Sequence, residues 1–324
     1  MKRLRLTHWG GLCLMLALSN ACQSSKSEEK ATSGATEERA NSPMAVPPVG
    51  TPPVAVAPRP ASASQLQTLA QRFDPIIRGA WVTTGYLKAL QQSRSPLKAA
   101  DAVGAVSEIH INPAARAGDS LVLTVGFGNH EGGAITLYYR PGQQPNSLAT
   151  RYRDYESPGS YAELSYRLGT RDTTLLLTTY SRSRRALHRA GYRRVAGAQV
   201  GTLGALNRAV NQLLFVGSYT GADSLGKPAA LQFAANGRVK GLKGFRNYSV
   251  NTDFSGGPGN DIDHLVLDSH TKHARLMGYS HRADTLRLYA AGTVEPQLVA
   301  GTEDEYTLPV LVRGRLLFTL VRRR

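Results

Sequence analysis

Apolar and polar residues alternate along much of the chain. Leu121, Leu123, Val125 and Phe127 recur at every second position, and after a glycine-rich break Ile135, Leu137 and Tyr139 do so again. TTLLLTTY (Thr173 to Tyr180), AALQFAA (Ala229 to Ala235), HLVLD (His264 to Asp268) and TLRLY (Thr285 to Tyr289) repeat the pattern. A period of two places successive side chains on opposite faces of a strand, so each run predicts a half-buried β-strand. Asn236-Gly237 marks a hairpin, because asparagine and glycine tolerate the positive φ that tight hairpin turns often need. Many short strands with glycine turns predict an all-β, mainly antiparallel barrel or sandwich. Two stretches follow a helical period instead. One is YLKALQQS, ended by Ser95-Pro96; the other is LGALNRAVNQLL, where Leu203, Leu206, Val210 and Leu213 share a face.

The first 64 residues lack this patterning. Lys2, Arg3 and Arg5 precede an apolar run from Trp9 to Leu18, far short of the roughly 20 residues of a membrane-spanning helix. Small residues then lead to Ala21-Cys22. The segment resembles the signal peptide of bacterial lipoproteins; Leu18, Ala21 and Cys22 carry the match, while Ser19 stands where leucine is more usual. The resemblance implies that residues 1–21 are removed and Cys22 is lipidated, with plain secretory cleavage near Ala21 as the alternative. Two or three acyl chains on one cysteine anchor stably, where a single chain binds only marginally. SSKSEE, just beyond, looks like an acidic export tag. The expected location is the outer membrane, on its periplasmic or cell-surface face. Residues 22–64 are rich in Ser, Thr, Ala, Glu and Pro and contain no aromatic residue, which predicts a disordered tether.

Composition narrows the options for the remainder. Only Cys13 and Cys22 are present, which removes thiol nucleophiles, disulfides and cysteine-based zinc sites from the mature chain. Of 39 basic residues seven precede Gln65, and of 23 acidic residues four do, so residues 65–324 carry a net charge of +13. A basic exported protein suits anionic lipid or an acidic polymer of the envelope. Nucleic acid is not an expected partner, because the chain has an export signal and no recognition motif.

A faint internal echo divides the β-rich part. IIRGAWVTTGYLKAL and LLFVGSYTGADSLGK each contain an apolar pair, then Gly-x-aromatic, then polar residues. The division predicts one β-barrel-like module over residues 65–200, and a helix with a second such module over 201–324. Gly79-Ala80-Trp81 resembles the Gly-x-Trp that opens the first strand of lipocalins and related calycin barrels. Thr252-Asp253-Phe254 is similar to that family's Thr-Asp-aromatic signature, although Trp81 and Asp253 lie about twice as far apart as in one lipocalin domain. From Ile76 onward the chain looks like a family of lipocalin-like (calycin-type) lipoproteins of Gram-negative bacteria. There Gly-x-Trp, an Asn-His-Glu-Gly hairpin and a later Gly-x-Tyr start similar β-rich halves. The resemblance implies a fold and no activity; Trp81 and Asp253 enter as candidate ligand contacts through it.

Four stretches invite a chemical reading. In NHEGG the metalloprotease pattern HExxH needs a second histidine where Ala134 stands. His130 and Glu131 are adjacent and point apart on a regular strand, so a hairpin tip is expected, with ligand contact at a barrel mouth as the alternative. DIDH (Asp261 to His264), with His270 and His273, lacks the glycine and glutamate of a calcium loop and reads as turn chemistry. ADSLG (Ala222 to Gly226) is close to a hydrolase elbow but runs through Lys227-Pro228 into a strand, not a helix. In SRSRRALHRAGYRRV, Arg184 and Arg185 head an arginine-dense hairpin able to hold phosphate or carboxylate, or to guard a strand edge.

The expected protein is therefore a lipid-anchored, non-enzymatic β-barrel protein without cofactor or metal. It binds a small apolar or amphiphilic ligand or an envelope component; the alternative is a structural or adhesive protein using a basic face. A transmembrane barrel is disfavoured by strands that look shorter than the roughly 9–11 residues required. If Cys22 carries the anchor, Cys22→Ser moves the protein from the membrane to the soluble fraction. Unchanged fractionation, with an unmodified Cys22 in the wild type by mass spectrometry, excludes it.

Overall fold

The computed structural model describes residues 62–152, 157–170, 172–254, 261–294 and 309–323. Cys22, the signal-like segment and the tether up to residue 61 lie outside the described residues. The described part begins at helix α1 (Ala63–Ile77), which Ser62 and Gln65 start with a reciprocal capping box. Alternation of strands gives no hint of α1; its Ala70, Phe73 and Ile77 form an apolar stripe that closes one end of a barrel.

That barrel contains β1 (Gly79–Thr83), β2 (Val106–Ile111), β3 (Ser120–Phe127), β4 (Glu131–Pro141), β5 (Ser147–Arg151), β6 (Tyr161–Leu168), β7 (Thr173–Tyr180) and β8 (Ala186–Arg194). Each strand pairs antiparallel with the next, and β8 returns to β1 to close the ring. Between β1 and β2 come α2 (Thr84–Ser93) and the single turn α3 (Pro96–Ala99). Arg94 ends α2 in the left-handed conformation, and Ser95 caps α3 with Pro96 in its first turn.

After α4 (Ala205–Leu214) the chain builds a second antiparallel sheet. Its strands are β9 (Gly217–Asp223), β10 (Pro228–Phe233), β11 (Val239–Lys240), β12 (Tyr248–Val250), β13 (His264–Leu267), β14 (Arg275–Arg282), β15 (Thr285–Val294) and β16 (Val310–Arg322). Their spatial order is β11-β10-β9-β16-β15-β14-β13-β12. The last strand again pairs with the first, while the opposite seam, between β11 and β12, is held by the Arg238–Asn247 bridge and the Tyr248 N–H to Gly237 O bond of 2.7 Å.

The echo in the sequence has a structural meaning. Trp81 pairs with Arg194 across the first closure, and Tyr219 pairs with Arg322 across the second. Each guanidinium lies over its ring, at 4.7 Å and 5.7 Å, and also donates to a carbonyl preceding the first strand, Ile76 O or Val216 O. Trp81 Nε1 donates to Ile77 O at 2.7 Å, and Tyr219 Oη to Leu214 O at 3.4 Å, tying each ring to the helix before it. Gly79 and Gly217 sit at φ +132° and +147°, and a Cβ on either falls within 3.2 Å of the arginine side chain. Only glycine satisfies both constraints.

Inside the first barrel, Ile109, Ile111, Leu123, Val125, Leu137 and Leu175 are at most 1 % exposed, as is Trp81. Leu177 and Tyr166 of the same cluster keep only 5 % and 8 % of their surface, so the lumen is occupied by its own side chains. The second core centres on Phe215, whose ring lies 4.9–5.5 Å from those of Phe233, Tyr248, Tyr279 and His281. It also takes in Leu87 and Leu90 of α2, Leu206 and Val210 of α4, and Ala80 and Val82 from β1. Strand β1 thus serves both cores, Trp81 one and its neighbours the other.

Three expectations need correction. The described residues hold four α-helices where the sequence predicts two, because α1 and α3 are specified by caps that strand patterning does not reveal. The buried face of α4 is Leu206, Ala209, Val210 and Leu214; Leu203 precedes the helix and is 43 % exposed. Strands such as β4, of 11 residues, and β16, of 13, reach membrane-spanning length. In β4 the residues Ile135, Leu137 and Tyr139 face inward, whereas β16 buries Leu311 and Leu320 and leaves Val310, Leu316 and Val321 exposed beside Arg313 and Arg315.

Tyr279 Oη is buried without a hydrogen-bond partner. Burial, then the charges of Asp263 and Tyr86, raise its pKa far above the ordinary phenol value, so the hydroxyl stays protonated. An unmade buried hydrogen bond costs about 1–3 kcal/mol. Tyr279→Phe should therefore leave stability unchanged or raise it by up to about 1 kcal/mol in urea melts. A loss of stability identifies a partner for the hydroxyl.

Candidate functional site

The polar residues of barrel one converge where β2, β3 and β4 meet α4. On β2, Ile109 and Ile111 face the lumen, so Glu108 and His110 face outward, yet all four are buried because α4 and the segment before it cover this wall. Register slips by one residue between Val106 and Glu108, a bulge opposite Gly126. Gly126 is required by crowding: a Cβ there lies 2.7 Å from Ser107 Oγ.

Glu108 caps the second module's helix. Its Oε1 accepts from Gly204 N at 2.9 Å and its Oε2 from Leu206 N at 2.7 Å. Gly204 is the N-cap residue of α4 and has no side chain to do this itself. His110 Nε2 stands 3.4 Å from Glu108 Oε2, a long electrostatic contact, and its Nδ1 is 3.1 Å from Gln199 O. Burial alone raises the Glu108 pKa, but the His110 contact and the two backbone N–H groups outweigh it and hold the carboxyl below its usual range.

Above this lies the hairpin of NHEGG. Gly128, Asn129 and His130 turn between β3 and β4, with Gly128 at φ +56°. Gly132 and Gly133 answer to crowding, with Leu203 and Phe127 within 3 Å of any added Cβ. His130 Nδ1 lies 2.8 Å from Asp253 Oδ2, both side chains being substantially exposed, at 57 % and 40 %. The hydrogen bond to Asp253 and that residue's charge raise the His130 pKa. Asp253 follows β12, and its neighbour Thr252 donates to Asn207 Oδ1 of α4 at 3.2 Å. Ser107, Glu108, Asn129, His130, Glu131 and Asn207 surround a cleft of about 220 Å³.

No family model, no curated protein and no solved structure matches this chain. Its chemistry is therefore read from its own residues.

The structure brings His130 and Asp253 together across 123 positions. Glu131 borders the same cleft, exposed at the start of β4. Trp81 is fully buried in the closure of barrel one. Arg184 and Arg185 stand exposed at the β7–β8 turn, Arg184 at φ +64°. In the cleft the Ser107 hydroxyl is engaged by Gly126 O at 3.2 Å, and the Glu108 carboxylate by α4. What remains is a fastening between modules. Glu108 and His110 escape a sequence reading because VSEIHI presents as an ordinary alternating strand; a buried-length apolar run holding two ionisable residues is the one signal available.

DIDH supplies long-range supports where the sequence predicts turn chemistry, and ADSLG supplies a local one. Asp261 accepts from Leu311 N and Asp263 from Leu97 N, while Asp223 accepts from Leu225 N and Lys227 N within the β9–β10 turn. Among the described residues no three His, Cys, Asp or Glu side chains converge as a metal site would need.

Opposite pH dependences follow for the two ionic contacts. Glu108 is favoured as carboxylate in the fold, so its contribution is complete above the unfolded pKa of about 4.3 and disappears as pH falls through the lower folded value. Glu108→Gln should cost about 1–3 kcal/mol near neutral pH and converge on wild type in acid. The His130 contribution is complete below about pH 6.5 and disappears as pH rises through its raised folded value. Urea melts across pH check both; a Glu108→Gln deficit that persists in strong acid contradicts the capping role.

Proposed function

We propose that this chain is an exported envelope protein of lipocalin-like build, lipid-anchored at Cys22, whose barrels are rigid packed bodies and whose working surface is the basic exterior. The packed lumens carry this reading. A site for a small apolar ligand is a cavity of roughly 300–1,000 Å³ lined by apolar groups. The first lumen instead holds the side chains of its own strands, each at most 8 % exposed, and Phe215 with four surrounding rings occupies the core of the second sheet. Binding of an apolar ligand inside a barrel therefore ranks below surface recognition of anionic lipid or polymer.

The exterior supports the second half of the reading. Among the described residues only Arg116, Arg140 and Arg313 make ion pairs with carboxylates. With +13 over residues 65–324, the exterior attracts polyanions over distances that shrink with added salt.

Trp81 is the one tryptophan beyond Trp9 and lies in the first lumen, so it reports directly on filling. Titration with a fatty acid should leave its emission unchanged. Dextran sulfate should bind, with affinity falling steeply as salt rises. A saturable Trp81 response to fatty acid restores the lumenal reading, and absence of polyanion binding at low salt removes the proposed one.

A further inference from the structure

We propose that the outer wall of barrel one formed by β6, β7 and β8 is a docking face for an extended polyanion, a polymer carrying repeated phosphate, sulfate or carboxylate groups. The inference rests on the reading of the exterior as the working surface and says which part of it works.

Strand register places the arginines. Arg193 pairs with Thr174, and Thr174 with Arg167, so the three form one row across β8, β7 and β6 on a single face. Tyr192, Leu175 and Tyr166, one position away, are buried in the lumen, so the row faces out. Two strand spacings separate Arg193 from Arg167 by about 10 Å, with the Thr174 hydroxyl between them. Arg189 lies four residues from Arg193 on the same face, about 13 Å along the strand, and pairs with Thr178, which is buried, so at this level the open part of the wall is β8. Beyond it the β7–β8 turn carries Arg184 and Arg185. All five arginines are exposed, and none makes an ion pair with a described carboxylate.

Among the described residues two carboxylates border the wall. Glu163, in the Arg189 row, is buried and accepts from Gln143 N and Ser147 Oγ of the β4–β5 turn. Asp172 is exposed at the β6–β7 end. Neither interrupts the line of arginines along β8.

The spacing favours a polymer over a bilayer that meets the barrel at its β7–β8 tip. From Ala186, where β8 begins, to Arg193 the strand rises about 23 Å, nearly three times the roughly 8 Å over which charge is felt at physiological salt. A membrane plane touching the β7–β8 tip leaves Arg193 and Arg167 out of range. A chain laid along β8 meets every arginine in turn, each able to take an anionic group by paired N–H donors.

The test uses the full chain and fluorescent-labelled linear polyphosphate, with folding of each variant checked by circular dichroism. The wall variant is Arg167→Gln/Arg189→Gln/Arg193→Gln. Its control, Arg275→Gln/Arg287→Gln/Arg315→Gln, removes the same charge from exposed positions of the second sheet. The wall variant should weaken polyphosphate binding about tenfold and the control far less. Equal weakening in both means binding by net charge, which overturns the wall while leaving the general reading in place. Failure of the wild type to bind either polyphosphate or phosphatidylglycerol vesicles removes both. Binding of phosphatidylglycerol vesicles that the wall variant loses, without polyphosphate binding, assigns the face to a membrane and overturns the polymer.

Discussion

Each module closes on one contact, an arginine of the last strand laid over an aromatic ring of the first. The ring is tied to the preceding helix, the guanidinium to a carbonyl of the same segment, and a glycine two positions before the ring lets the arginine pass. First strand, last strand and entering helix are thereby held at one point. Without it a sheet of this size has two open edges, and open edges are where sheets slip or aggregate. With Arg194 exposed and Arg322 half-buried, such an aromatic–cation contact is worth about 0.5–1 kcal/mol, modest beside the packing of either core. Its importance is geometric, since it sets where the ring of strands begins and ends.

The modules are joined by sharing. Strand β1 gives Trp81 to one core and Ala80 and Val82 to the other, and helices α2 and α4 pack into the second core. Glu108 then fixes where α4 starts, by supplying from barrel one the carboxylate that Gly204 lacks. Burying this charge is unfavourable by itself, and two backbone N–H donors at the positive end of a helix are what offset it. Change on either side of this junction is felt on both.

On the proposed reading, with the interiors occupied by their own side chains, recognition resides on the exterior. Arginine is suited to that task. Its planar fork stays charged at every physiological pH and engages phosphate, sulfate or carboxylate through two parallel bonds. A closed barrel presents such residues at spacings set by strand rise and strand separation, which is a rigid ruler for repeated charges.

Much of this was legible in the residues themselves. Alternation at Leu121–Phe127, Ile135–Tyr139 and Thr173–Tyr180 marks β3, β4 and β7, because a period of two has only one common structural cause. Asn236-Gly237 marks its turn, and the paired Gly-x-aromatic motifs mark the opening of each sheet. The caps of α1 at Ser62 and of α3 at Ser95 are local as well, though easily lost among strands. What no local pattern contains is pairing at a distance. Nothing near Trp81 announces Arg194, nothing near Glu108 announces the N–H groups of Gly204 and Leu206, and His130 meets Asp253 only because two modules are docked. Trp81 and Asp253 lie so far apart in the chain because they belong to different modules. The sequence determined the periodicity, the turns and the charge, which depend on neighbours along the chain. Tertiary structure alone decided that the lumens are filled and that the arginines of β6 and β8 share a row, since both depend on which strands meet.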